Sequence, residues 1–385
     1  MNVKQLTTIV NNATKEALGE EAILNEDLSN VVDIGQTVFN NNAFDNYVKS
    51  LINHIGKVVF VDRAYTGRAP SVLMDAWEFG SVLEKIGYSN LPEATNNESW
   101  DLNDGTDYSQ DIFYKPTVEA TFFNSKTTFE VPISITERQV KESFSNGTQL
   151  NAFVSMIYTA IRNSMTVKVD ELIMRTINNF IGETLYSAFP SGTYTGVTST
   201  KAVNLLYLYN HEKGTTLTKD KALTDLEFLK YASMTIALYK KHIGDMSTLF
   251  NIKGAPRFTP AEDLHLVLLD NFAEASKMYL QSDTYNKELV ALPNYETVSY
   301  FQGTGTDYEL DSISKIDIKT SGGHEIEIDY IMGVMFDRNA LGVCNQNDRA
   351  TTHYNAKAEF TNTWFKRDAS YFNAQDENFV VFYLA

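Results

Sequence analysis

The stretch "TFEVPISITERQV", Thr128 to Val140, carries two structural periods in succession. Phe129, Val131, Ile133 and Ile135 fall on every second position with Glu130, Pro132 and Ser134 between them, the pattern of a strand buried on one face. Pro132 lacks an N–H and suits an edge or terminal strand position. Ser134 followed by Glu137 has the spacing of a helix capping box. Val140 and Phe144 then supply an apolar face at i, i+4, and "FSNGT" offers Asn146 and Gly147 to close a short helix. The segment is predicted to be a strand feeding directly into a helix.

The next segment holds the strongest helical signal in the chain. From Thr148 to Gly182, Leu150, Phe153, Ile157, Ile161, Met165, Val169, Leu172, Ile173, Ile177, Phe180 and Ile181 trace one stripe at steps of three and four. The spacing predicts a spine helix over 148–182, capped by Thr148, ended by Gly182 and roughly 50 Å long. Arg162, Lys168, Asp170, Glu171 and Arg175 exclude a membrane span. Because charges gather in its second half, the first half is expected to be the more buried.

Before the opening stretch, residues 1 to about 50 are polar and Asn-rich, with helical patterns in "QLTTIVNNATKEAL" and at 44–56. "KVVFVDRAYTG" and "KPTVEATFFNSKTTFEVP" read as strands around the polar "NLPEATNNESWDLNDGTDYSQ". That arrangement fits an extended two-stranded arm or an ordinary hairpin with an Ω-like loop. Beyond the spine, helices are predicted at 224–244 and 271–281 around a strand at 264–270. Strands then dominate, with Gly322-Gly323 as a hairpin turn and a paired strand at the C-terminus. Long helix, α/β lobe and terminal strands make an α+β chain.

A chain of 385 residues exceeds the size at which one core usually keeps growing, so more than one lobe is expected. Its 49 acidic against 32 basic residues give a net charge of −17, and "YKKH" (239–242) and "FKR" (365–367) are too small to make a phosphate-neutralising stripe. Cys344, the single cysteine, excludes an internal disulfide and a thiolate metal cluster. No signal-peptide core or membrane-length apolar run is present, which predicts synthesis in the cytoplasm.

Chemistry-bearing motifs are sparse. "GTGTDY" (303–308) lacks the third glycine and the following helix of a dinucleotide turn. In "DLNDGTD" (101–107), placing Gly105 at the sixth position of a calcium loop puts Trp100, not a carboxylate, at the first. His54, His211, His242, His265, His324 and His353 have no metal-ligand spacing. Glu325, Glu327 and Asp329 share one face of "HEIEIDY" and could in principle serve as acid and base, but Ile326, Ile328 and Tyr330 alternate with them as on a half-exposed strand. The 23 Phe and 21 Tyr are read as core and interface packing. No catalytic, cofactor-binding or metal site is predicted, and no enzyme.

In order, the parts are a polar arm, a two-stranded excursion, the junction "VPISITERQV", a spine helix, an α/β lobe, and the end "FDRNALGVCNQNDRATTHYNAKAEFTNTWFKRDASYFNAQDENFVVFYLA". This order resembles the major capsid protein of tailed bacteriophages, the Hong Kong 97-type fold. The resemblance implies an N-terminal arm (1–56), an extended loop lying across a neighbouring subunit (57–131), a peripheral domain (132–200 and 345–385) and an axial domain (201–344). It further implies hexamers and pentamers in an icosahedral virion shell around double-stranded DNA, a separate scaffold protein, a portal protein and decoration proteins. Cross-linked members of that family join a Lys to an Asn. No pair here maps onto those positions, although Lys115 and Lys126 lie in the loop region. The competing readings are a tail-associated or ligand-binding module, contacting its ligand through 89–110, and an acid-type hydrolase using Glu325 and Glu327.

Overall fold

The computed structural model describes residues 8, 11–16, 69–74, 83–88, 91–108, 110–115, 117–136, 147–282, 295–304 and 315–385. The helix expected at 44–56, the strand at 57–67, Glu137, Val140, Phe144 and Asn146 of the junction, and the turn at 305–308 lie outside these residues.

The alternation at the junction produces the expected strand. β4 (Lys126–Thr136) turns Phe129, Val131, Ile133 and Ile135 inward and Glu130, Pro132 and Ser134 outward. The strand runs past Ser134, so this residue does not cap a helix. Its hydroxyl instead meets Asn362 Oδ1 at 2.5 Å across the sheet. The neighbour is β13 (Phe360–Asn373), which pairs antiparallel with β4 and with β12 (Leu341–Asn355), while the short β1 (Leu73–Met74) adds parallel to β12. Charged pairs follow the register, with Lys366 on Glu130 and Arg367 on Asp348.

Helix α1 (Gly147–Ala188) is 42 residues long, about 60 Å at the α-helical rise. Thr148 lies inside its first turn, and Gly182 does not end it. Ile318 explains the glycine: a Cβ at position 182 would stand 2.7 Å from its Cγ2. The helix continues because the cost of an interior glycine, about 1 kcal/mol, permits close approach of a second sheet. That sheet contains β8 (Gly303–Thr304), β9 (Lys315–Lys319) and β10 (Glu325–Asp329), with Gly323 at φ 83° in the predicted β9–β10 turn. The first half of α1, expected to be the more buried, lies mostly outside the described side chains, which begin at Thr159. Over 159–170 only Ile161, Met165 and Val169 are buried, whereas Leu172 to Leu185 is buried on most sides. Asp170, Glu171 and Arg175 are themselves half-buried, Arg175 over the Tyr371 ring, so charge does not mark an exposed half.

The third sheet has the order β5 (Ala202–Asn204), β14 (Phe379–Tyr383), β11 (Ile331–Asp337), β6 (Leu264–Leu269), β7 (Glu296–Val298). β11 and β14 are buried throughout, as expected for strands covered on both faces. Helices α2 (Leu205–Lys213), α3 (Lys219–Ala222), α4 (Leu226–His242) and α5 (Asp270–Ser282) accompany this sheet. Asn204 and Asp225 cap α2 and α4 by accepting the Tyr207 and Phe228 N–H at 3.1 and 2.8 Å, the geometry that orphan N-terminal amides require. The paired C-terminal strand is present as β14, between β5 and β11.

Gly333, in central β11, tests this packing. An added Cβ would fall 2.7 Å from the carbonyl oxygen of Val267, which is backbone and cannot swing aside. Gly333→Ala is expected to lower unfolding free energy by roughly 1–3 kcal/mol. Gly182→Ala is expected to cost less, because Ile318 can rearrange and alanine favours the helix. Denaturant unfolding of both variants checks the order.

Candidate functional site

An excursion of residues 91–115 separates the strands of a two-stranded ribbon, β2 (Leu83–Tyr88) with β3 (Val118–Phe123), paired antiparallel from Leu83↔Phe123 to Tyr88↔Val118. The described residues thus show a two-stranded ribbon joined by a long polar excursion, as both the extended-arm and the hairpin readings require. The polarity of this ribbon is inverted relative to an ordinary surface hairpin. Its inward face carries Leu83, Lys85 and Gly87 opposite Phe123, Thr121 and Glu119. Its outward face carries Glu84, Ile86 and Tyr88 opposite Phe122, Ala120 and Val118, with Ile86 and Phe122 64% and 63% exposed. The excursion continues the pattern: Trp100, Phe113 and Tyr114 are 93%, 85% and 80% exposed. Isolated exposed apolar residues are ordinary, but a contiguous apolar face on a projecting element marks an interaction surface. Glu93, Asp101, Asp104, Asp107 and Asp111 are interspersed with the aromatic residues along this excursion.

The residues considered for other chemistry are dispersed. Glu325, Glu327 and Asp329 do share the outer face of β10. Glu327 pairs with Lys315 across the hairpin, and Asp329 meets Lys219 Nζ at 2.7 Å. They line no cleft with one another. His265 stacks on Phe336 and His324 on Tyr186, with ring centroids 5.4 and 4.2 Å apart. His211 lies beside Tyr207, His242 beside Tyr239, and His353 pairs with Asn362 in the β12–β13 ladder. His54 is outside the described residues. Cys344 is buried. Lys115 sits on the exposed excursion and Lys126 opens β4. The "DLNDGTD" segment is an exposed turn with Gly105 at φ 80°. Among the described residues no group of three or more His, Cys, Asp or Glu could hold a metal, and no helix is long and apolar enough to cross a membrane.

Sequence reasoning missed an ionic cluster at the ribbon's root. Asp376 and Glu377, in the turn between β13 and β14, meet Lys85 of β2 and Arg257 of the loop after α4. These positions are too distant in the chain for any local pattern to join them.

The fold is that of a phage capsid protein. Its likeness to the capsid structure of Staphylococcus phage Andhra covers 84% of this chain and 86% of that one at a TM-score of 0.53 and 10% identity. The capsid structure of cyanophage P-SCSP1u is also similar, covering 81% and 86% at a TM-score of 0.42 and 10% identity. The sequence from residue 8 to residue 383 matches the Phi29-like phage major capsid protein family, and the chain belongs to that family. No curated protein matches the sequence. The family is a structural one, not a class of enzyme, and it places the chain in the capsid of the phage virion.

The charged pairs of the body carry an acid sensitivity. Burial works to raise the Asp368 carboxyl, but Arg349 and the Thr128 hydroxyl, at 2.6 Å, hold it below its ordinary range. Burial opposes ionisation of Asp376 too, and Lys85 and Arg257 again prevail. Burial pushes Glu377 the other way, upward, despite Lys85. A depressed carboxylate stabilises the fold above its unfolded pKa and loses that contribution as pH falls through its folded pKa, whereas protonating Glu377 has the opposite sign. Stability is therefore expected to fall mainly below about pH 4. Asp368→Asn should make the acid limb shallower, as followed by chemical denaturation between neutral and acid pH.

Proposed function

We propose that this chain assembles with copies of itself into hexamers and pentamers of an icosahedral shell that encloses double-stranded DNA. The observation that carries the reading is the inside-out ribbon and its aromatic excursion, an apolar surface projecting from a body that already has a complete core. Each large apolar side chain removed from water contributes about 1.5–3 kcal/mol. Burying even a few of those on the arm therefore offsets much of the ordering cost of association.

In this reading residues 57–131 form the loop that crosses onto a neighbouring copy and 1–56 the N-terminal arm. The body divides into a peripheral region, 132–200 with 345–385, and an axial region, 201–344, to whose sheet β14 contributes its strand. The net charge of −17 suits a wall that packs DNA without binding its sequence, and repulsion between copies must then be offset by apolar contacts. A separate scaffold, a portal and decoration proteins are the partners this reading gives the shell, the scaffold setting its size rather than being needed for copies to associate.

Negative-stain electron microscopy tests the reading. The purified chain is expected to give shells, rings or tubes, and the triple variant Trp100→Ser, Phe113→Ser, Tyr114→Ser to remain dispersed with unchanged thermal unfolding. Assembly of the variant to the same extent would contradict the role given to the excursion.

A further inference from the structure

An inverted ribbon raises a physical question: what holds its polar face against the body and leaves its apolar face in water? Two strands alone are marginally stable. The inward apolar contacts of this ribbon are few, chiefly Phe123 on Phe372 at a centroid distance of 5.1 Å. Among the described residues the other attachments are ion pairs and one hydrogen bond to the ribbon's main chain.

Lys85 pairs with Glu377 and lies 3.5 Å from Asp376 Oδ2. Arg257 donates from Nη2 to Asp376 Oδ2 at 2.9 Å and places Nε 3.6 Å from Glu377 Oε1. Its Nη1 also donates to the main-chain carbonyl of Tyr88, the last residue of β2, at 3.3 Å. On the other strand, Glu119 reaches Lys253 at 3.1 Å. The members of the four-residue cluster are largely buried, and Asp376 Oδ1 is buried without a hydrogen-bond partner.

The body half of the cluster is rigid. The N–H groups of Ile252 and Lys253 both donate to the Gln375 carbonyl at 3.1 Å, Phe379 donates to the Phe250 carbonyl at 2.8 Å, and Ser247 and Arg257 exchange two main-chain hydrogen bonds. The carboxylates are thus fixed in place, and the ribbon supplies the movable cation. Two positive and two negative groups balance; removing one cation leaves a buried carboxylate uncompensated, which is more costly than losing a surface pair.

We propose that Lys85 and Arg257 are positioning residues for assembly, locking the ribbon polar face down in the free subunit so that its apolar face is already presented to an incoming copy. The consequence for assembly rests on the proposed shell; the lock itself does not. A preset arm removes part of the ordering cost from the docking step.

Hydrogen–deuterium exchange of the full chain below its assembly concentration tests the lock. Lys85→Met keeps the aliphatic stem and removes the charge. It is expected to speed amide exchange in β2 and β3 by about tenfold or more while leaving β6, β11 and β14 unchanged. It should also raise the protein concentration at which shells appear. Lys85→Arg, which keeps the charge and the aliphatic stem, is expected to preserve both. Should either variant fail to fold, Lys85→Gln, which removes the charge but keeps a polar side chain, serves instead, with faster exchange expected in the ribbon alone. Unchanged ribbon exchange, or acceleration spread equally through the core sheet, would overturn the lock. Faster ribbon exchange with unaltered assembly would overturn the positioning role and leave the shell standing.

Discussion

Close approach between the second half of α1 and the sheets around it organises the rest of the molecule. From Leu172 to Leu185 the helix is buried among strands of all three body sheets. One helix can serve three sheets only if its surface is small where the tightest contact falls. Gly182 meets that condition, bringing Ile318 against the helix backbone. Phe180 stacks on Phe379 at 4.1 Å, and Phe379 on Phe336 at 5.6 Å, carrying the same core from the helix into β14 and β11. The body is consequently one continuous apolar unit.

That continuity matters for function. A body with a complete core can carry an extended element whose apolar residues face water, because the arm's exposure does not subtract from the body's folding. The ribbon and excursion use this freedom in the opposite sense to a normal hairpin. Charges at the root face the protein, and aromatic side chains at the tip face solvent. Ionic attachment suits the root because it is directional, with a guanidinium and an ammonium fixed between two anchored carboxylates. Apolar attachment suits the tip, where a neighbouring copy can supply the missing contact area.

Much of the architecture was legible in the residues. The period of two in Phe129 to Ile135 became the inward face of β4, and the stripe from Ile161 to Ile181 became the buried side of α1. Three readings went astray because a local rule met a stronger tertiary demand. Ser134 has cap spacing, but the ladder with β13 extends through it. Gly182 has the chemistry of a helix end, but Ile318 needs its missing side chain. Charges in the second half of α1 suggested exposure, but Asp170, Glu171 and Arg175 lie half-buried beside packed elements. The ribbon's inversion was not legible, since alternation shows which side chains share a face and not which face meets the body. Nor was the root cluster, whose members come from β2, the loop after α4, and the β13–β14 turn.

The central claim is that the arm's apolar face is covered by a second copy of the chain. Hydroxyl-radical footprinting of dispersed subunits and assembled particles, read at Trp100, Phe113, Tyr114, Ile86 and Phe122, tests it most directly. Strong labelling of these side chains in the subunit and marked protection in the particle are expected. Equal labelling in both states would contradict the claim.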